Sequence, residues 1–116
     1  MEANNIINLE DFRVKDSIKR TVSKVFTGRD RGKKVRTESK LDEIEKDNET
    51  VEIIIPDNIY SINPSFFEEL FVNVVTKLGK EAFLEKFKFI SLGDYDYYRP
   101  LNEAIERILR TKTALD

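Results

Sequence analysis

Between Gly28 and Arg36 the run GRDRGKKVR sets five basic side chains, Arg29, Arg31, Lys33, Lys34 and Arg36, around two glycines. Cationic heads beside backbone that glycine leaves open are the makings of an anion site, and a helix starting near Arg29 would add unpaired N–H groups. The run is not a nucleotide P-loop. Three residues rather than four separate the glycines, and Lys34 stands where Ser or Thr would meet magnesium. It is a candidate anion-binding segment of a looser kind, and a small nucleotide- or anion-binding domain using this loop and helix start is the alternative reading of the chain.

Two further groups carry candidate chemistry. Around Ser65 the order Ile62, Asn63, Pro64, Ser65, Phe66, then Glu68 and Glu69, reads as a helix start. Ser65-x-x-Glu68 has the spacing of a capping box, and Asn63 followed by Pro64 at the first helical position is an equally good cap. Either cap contributes about 1 kcal/mol, so the turn has a structural explanation beside a functional one. In GDYDYYRP, Tyr95, Tyr97 and Tyr98 precede Arg99, and tyrosine with arginine on a loop is the composition of a binding hot spot. The alternative is that some of these rings pack over the helix ends. Asp94 and Asp96 lack the glycine and glutamate of a calcium loop and read as turn residues.

The chain has no His and no Cys. Catalytic triads, HExxH sites, Cys/His zinc sites, disulfides and thiolate nucleophiles are therefore excluded for these residues. Nothing marks a pocket that would shift the pKa of an Asp, Glu, Lys, Ser or Tyr for catalysis. The expectation is a protein with no catalytic residues, no cofactor and no metal. Lys15 to Lys40 holds ten Lys or Arg against three acids, in a chain of net charge −2. Such a segment is either a solvated face or a steering surface for an acidic partner. Nucleic acid is not the expected partner, because the overall pI is near 5.3 and no aromatic ring lies between Phe12 and Phe26 or from Thr27 to Ile59.

The elements that must position these residues are legible from periodicity. TVEIII, Thr50 to Ile55, is a β-branched run bounded by EKDNE and Pro56, the pattern of a central buried strand. KFKFIS, Lys86 to Ser91, alternates phenylalanine with lysine and reads as a second strand. Shorter strands are expected near Asn5 to Leu9 and Val22 to Phe26. Phe67, Leu70, Phe71, Val74, Val75 and Leu78 recur by three and four, giving a helix from Pro64 to Leu78 that Gly79 ends, with a short turn of helix over Lys80 to Glu85. Pro100 opens another helix through Leu101, Ala104, Ile105, Ile108 and Leu109. A more charged helix is expected over Arg29 to Glu45. The resulting fold is a single α/β domain spanning 1–116, with an approximately four-stranded mixed sheet and helices mainly on one face. Only 1–4 and 112–116 are expected to fray. No apolar run is long enough to span a membrane, and MEANNIINLEDF lacks the layout of a signal peptide, so a cytoplasmic protein without membrane attachment is expected.

VEIIIPDNIYSINPSFFEELFVNVVTKLG, Val51 to Gly79, resembles the central strand, turn and helix of STAS-type domains, the fold of anti-sigma-factor antagonists. It is most similar to the STAS-like branch of unknown function found in bacteria and phages. The matching residues are Ile62, Ser65, Phe66, Glu68, Glu69 and Leu70, and Gly28 to Arg36 is similar to that branch's entry into its first helix. The resemblance implies a regulatory module that docks a protein partner, with a kinase-like ATPase regulator as the candidate class. Its partner-binding residues would be Ile62, Asn63, Ser65, Phe66 and Glu69, joined by Tyr95, Tyr97 and Tyr98. It also implies a serine at the helix start, here Ser65, whose phosphorylation would switch docking off. The chain departs from the antagonist pattern in having Asn63-Pro64 for an Asp-Ser pair and Phe66 for a glycine.

Overall fold

A computed structural model describes residues 5–115. Strand β1 (Ile6–Asn8) and a 3-10 turn (Leu9–Phe12) lead into an antiparallel ribbon of β2 (Lys15–Asp16) and β3 (Thr21–Val22). Then come β4 (Val25–Phe26), α1 (Arg29–Ser39), α2 (Leu41–Asp47), β5 (Val51–Ile55), β6 (Ser61–Ile62), α3 (Pro64–Lys86), β7 (Phe87–Ser91) and α4 (Tyr98–Leu115). Of the termini expected to fray, 1–4 and 116 lie outside the described residues. Among the described residues no helix is long and apolar enough to cross a membrane.

β5 is central, as its β-branched run requires, with β1 and β7 parallel on its two edges. The register sets Ile7, Ile53 and Phe89 in one row. Val51, Ile53 and Ile55 are buried while Glu52 and Ile54 between them are partly exposed, so only one face of the sheet is fully covered. α3 lies on that face through its rings. Phe71 meets Phe83 at 5.1 Å and both Phe87 and Phe89 of β7 at 5.8 Å, in edge-on geometry. α1 and α4 flank α3, contributing Val35 from one and Leu101, Ala104, Ile105 and Ile108 from the other to the same core.

The expected four-stranded mixed sheet is not formed. Among the described residues the main sheet has three strands, all parallel, and two small two-stranded sheets stand apart from it, β2 with β3 and β4 with β6. The reason lies at Ser23, in the middle of the expected Val22 to Phe26 strand. Its Oγ accepts from Val25 N at 3.2 Å and donates to Val25 O at 3.1 Å, a side-chain turn that competes with the ladder. Residues before it pair back on β2 and residues after it pair with β6.

The charged helix expected over Arg29 to Glu45 is also two helices, broken where Lys40 takes a left-handed conformation, φ 58°. Gly79 interrupts α3 at φ 81°, a conformation that glycine adopts without strain, and the chain resumes helix to Lys86. α4 begins at Tyr98, which places Pro100 inside the first turn, where its missing N–H costs nothing.

Candidate functional site

The helix start at Ser65 is built from below by packing and from the side by hydrogen bonds. β6 runs parallel to β4, pairing Val25 with Ser61 and Phe26 with Ile62. Phe26 and Phe66 meet at 5.0 Å beneath the turn, and Ile62, Phe66 and Phe67 are all buried. Ile62 and Phe66, expected on the docking surface, therefore belong to the core. Their side chains hold the turn in place, since burial of so much apolar area outweighs display to solvent.

Of the two caps open in the sequence, the structure takes Asn63. Its Oδ1 accepts from Ser65 N at 2.9 Å, with Pro64 at the first helical position. Ser65 Oγ donates to the same oxygen at 2.8 Å, so the hydroxyl is engaged in the cap. The reciprocal half of a capping box is missing because Glu68 is drawn elsewhere.

Glu68 and Glu69 turn toward the basic helix α1. Glu68 Oε2 accepts from Arg29 Nη1 at 2.9 Å, and Glu69 lies 3.8 Å from Arg29 and 3.6 Å from Arg36. Arg36 also donates to the Glu69 carbonyl. Pairing with Glu68 raises the Arg29 pKa further above its already high value, so the guanidinium stays charged. Between these ion pairs Gly32 is buried, and a Cβ there would sit 3.0 Å from Glu69 Cβ and closer still to the Phe66 carbonyl. The glycine and arginines of the Gly28 to Arg36 run thus form a helix crossing with the Phe66 to Leu70 segment. They do not converge on one anion: Arg29 and Arg36 face α3, Arg31 is half-buried, and Lys33 and Lys34 are exposed.

The tyrosines divide by role. Tyr95 Oη accepts from Ile62 N at 2.9 Å and donates to Ile62 O at 3.3 Å, standing where a further strand would pair with β6. Tyr97 stacks on Phe89 at 5.4 Å. Tyr98 is exposed at the start of α4. Tyr95 and Tyr97 thus pack against the domain, at the edge of β6 and on β7 rather than over the helix ends.

A family model described as the STAS-like domain of unknown function (DUF4325) matches residues 31–97. The chain belongs to this family. No curated protein and no solved structure matches it. The matched span of this STAS-like domain runs from α1 to Tyr97, and so takes in the Gly32 crossing, the Asn63 cap and the Tyr95 clamp. β1, the β2–β3 ribbon, β4 and α4 lie outside it.

Several important residues of the STAS-like domain carried no signal in the sequence. Arg13 is buried, donating from Nε to Ser23 O at 2.9 Å, from Nη1 to Glu10 at 3.2 Å and from Nη2 to Asn58 O at 3.4 Å, which ties the ribbon to the loop before β6. Glu45 is buried between Lys77 at 2.8 Å and Lys86 at 2.6 Å. Burial alone would push its pKa up; hydrogen bonds and charge from the two lysines outweigh that and leave it below the usual glutamate value. Tyr60, beside the Ser65 turn, is 80% exposed and was not singled out by its neighbours. A lone charged or aromatic residue off any periodic stripe gives no warning of such a role.

Proposed function

We propose that this STAS-like domain is a regulatory binding module that docks a protein partner, without catalysis, through the Tyr60 to Ser65 turn and the adjoining ribbon. One observation carries the reading. Val14, Ile18, Val22, Val25 and Tyr60 are all large, apolar and exposed, Ile18 to 91%, and all lie on backbone joined by short hydrogen bonds: Ser23 N to Val14 O and Tyr60 N to Lys24 O, both 2.7 Å. Exposed apolar residues gathered in one region mark interaction surfaces. Lys15, Lys19, Arg20 and Lys24 are exposed on the same segment, which suits a partner with an apolar centre and an acidic rim.

The resemblance to anti-sigma-factor antagonists makes a kinase-like ATPase regulator in the cytoplasm the class of partner to try first. Phosphorylation of Ser65 would break its hydrogen bond to Asn63 and place about two negative charges at a helix start, where the dipole tolerates them. That would keep the fold and change the docking surface. The test is recovery of partners from the native host by wild type, Tyr60→Glu, Ser65→Asp and, as a control on α1, Lys33→Glu. The reading expects a partner that wild type and Lys33→Glu retain and that Tyr60→Glu loses by about tenfold or more, the scale of an aromatic hot spot. Equal recovery by folded Tyr60→Glu and wild type would remove this face from the interface.

A further inference from the structure

We propose that the open face of the main sheet pairs with the same face of a second copy of this chain, forming a weak twofold dimer. The face shares no residue with the Tyr60 turn or the ribbon. Alternation along the strands puts Ile7, Ile53 and Phe89 toward α3 and their neighbours on the other side. Those neighbours form two rows. Ile6, Glu52 and Lys88 are in register, and two residues further along the strands Asn8, Ile54 and Ile90 are in register. Ile6 and Ile90 are exposed, Ile54 is half-buried, and Leu92 is exposed just beyond the end of β7.

Charge identifies the occupant. Glu52 and Lys88 are direct cross-strand partners of opposite sign, an arrangement that ordinarily closes a pair. Among the described residues neither takes part in an ion pair. The face therefore offers one carboxylate and one ammonium side by side. A surface carrying both signs in one row is its own complement under a twofold rotation. With the axis along the strands, midway between β5 and β7, rotation lays β5 of each copy over β7 of the other at the same row. Glu52 of each copy then faces the partner's Lys88, and Ile54 of each copy faces the partner's Ile90. Face-to-face sheets stand about 10 Å apart, a gap that a glutamate and a lysine reaching from opposite sides can close. An acidic or a basic partner would satisfy only one of the two charges, whereas a second copy satisfies both.

The footprint sets the strength. Three strands about 4.8 Å apart, five residues long at about 3.3 Å each, give a face of roughly 240 Å². A standard interface buries roughly 800 Å² per partner. The dimer is accordingly weak and forms only at high protein concentration.

The test is sedimentation equilibrium of the whole domain up to about 1 mM protein, on wild type, Glu52→Lys and Lys88→Glu, with a melting curve for each. Wild type should show a concentration-dependent equilibrium between monomer and dimer. Each single reversal sets like charges opposite one another at both symmetry-related contacts. It should weaken the dimer about a hundredfold, roughly tenfold per contact. An equimolar mixture of the two variants should dimerise again, because every contact between the two kinds of chain once more joins opposite charges. The double reversal Glu52→Lys with Lys88→Glu keeps one charge of each sign on the face and should dimerise like wild type, which covers the case of a single variant that folds poorly. Wild type that stays monomeric throughout, a single reversal that dimerises as well as wild type, or a mixture of folded variants or a folded double reversal that stays monomeric would each overturn the proposal.

Discussion

The Tyr95 hydroxyl meets both backbone groups of Ile62, its N–H at 2.9 Å and its carbonyl at 3.3 Å. One side chain from the loop after β7 thereby closes the edge of β6 and sets the Ser65 turn relative to the sheet. Tyr95→Phe keeps the ring and removes both bonds, leaving two partly buried backbone groups unmet. The expected loss is about 1–3 kcal/mol by denaturant titration, with faster hydrogen exchange at the Ile62 amide. Unchanged exchange at Ile62 would show that the clamp does not hold the turn.

The cap gives a comparison between neighbours. Asn63→Ala removes the acceptor of the Ser65 N–H and is expected to cost about 1 kcal/mol. Ser65→Ala removes only a hydroxyl that donates to that same acceptor, and should cost less. A Ser65→Ala loss larger than that of Asn63→Ala in chemical denaturation would restore the capping box to Ser65.

At Gly32 a Cβ would run into the backbone and side chains of α3. Gly32→Ala must push α1 away and lengthen the contacts of Arg29 and Arg36 with Glu68 and Glu69. Overpacking of this kind costs about 1–3 kcal/mol, despite the better helix propensity of alanine. A thermal melt at or above wild type would mean the crossing has room to spare.

Phe71 touches Phe67, Phe83, Phe87 and Phe89 and is buried. Phe71→Ala opens a cavity at the centre of the α3 contact with β7, and a loss of about 3–5 kcal/mol is expected in equilibrium unfolding. A loss below 1 kcal/mol would argue against the ring cluster as the heart of the core.

Glu45 links stability to pH. Its folded pKa is depressed, so its contribution is present above the unfolded glutamate pKa and is lost as pH falls through the folded value. Glu45→Gln should therefore cost about 1–3 kcal/mol at neutral pH, and the gap to wild type should close in acid. A constant difference across that range would show that the carboxylate charge is not what Lys77 and Lys86 recognise.

Local pattern determined much of this domain by itself. The β-branched run Val51–Ile55 could only be satisfied with both edges paired, and the spacing from Phe67 to Leu78 could only bury one helical face, so the central strand and α3 follow from period alone. Gly79 marked a break because glycine takes a positive φ without strain, and Pro100 a beginning because its ring fixes φ and removes the N–H. Tertiary structure decided what depends on a distant partner. Ser23 could extend a strand or bend it, and Arg13 reaching its carbonyl belongs to the bent form. Ser65 and Asn63 were equivalent caps until Arg29 drew Glu68 away across 39 residues. Phe66 was expected on the docking surface of the turn, and Phe26, from the far side of α1 and α2 in the chain, packs against it within the core. Periodicity reports which face of an element is apolar; it carries no record of which remote side chain will arrive to meet a polar group.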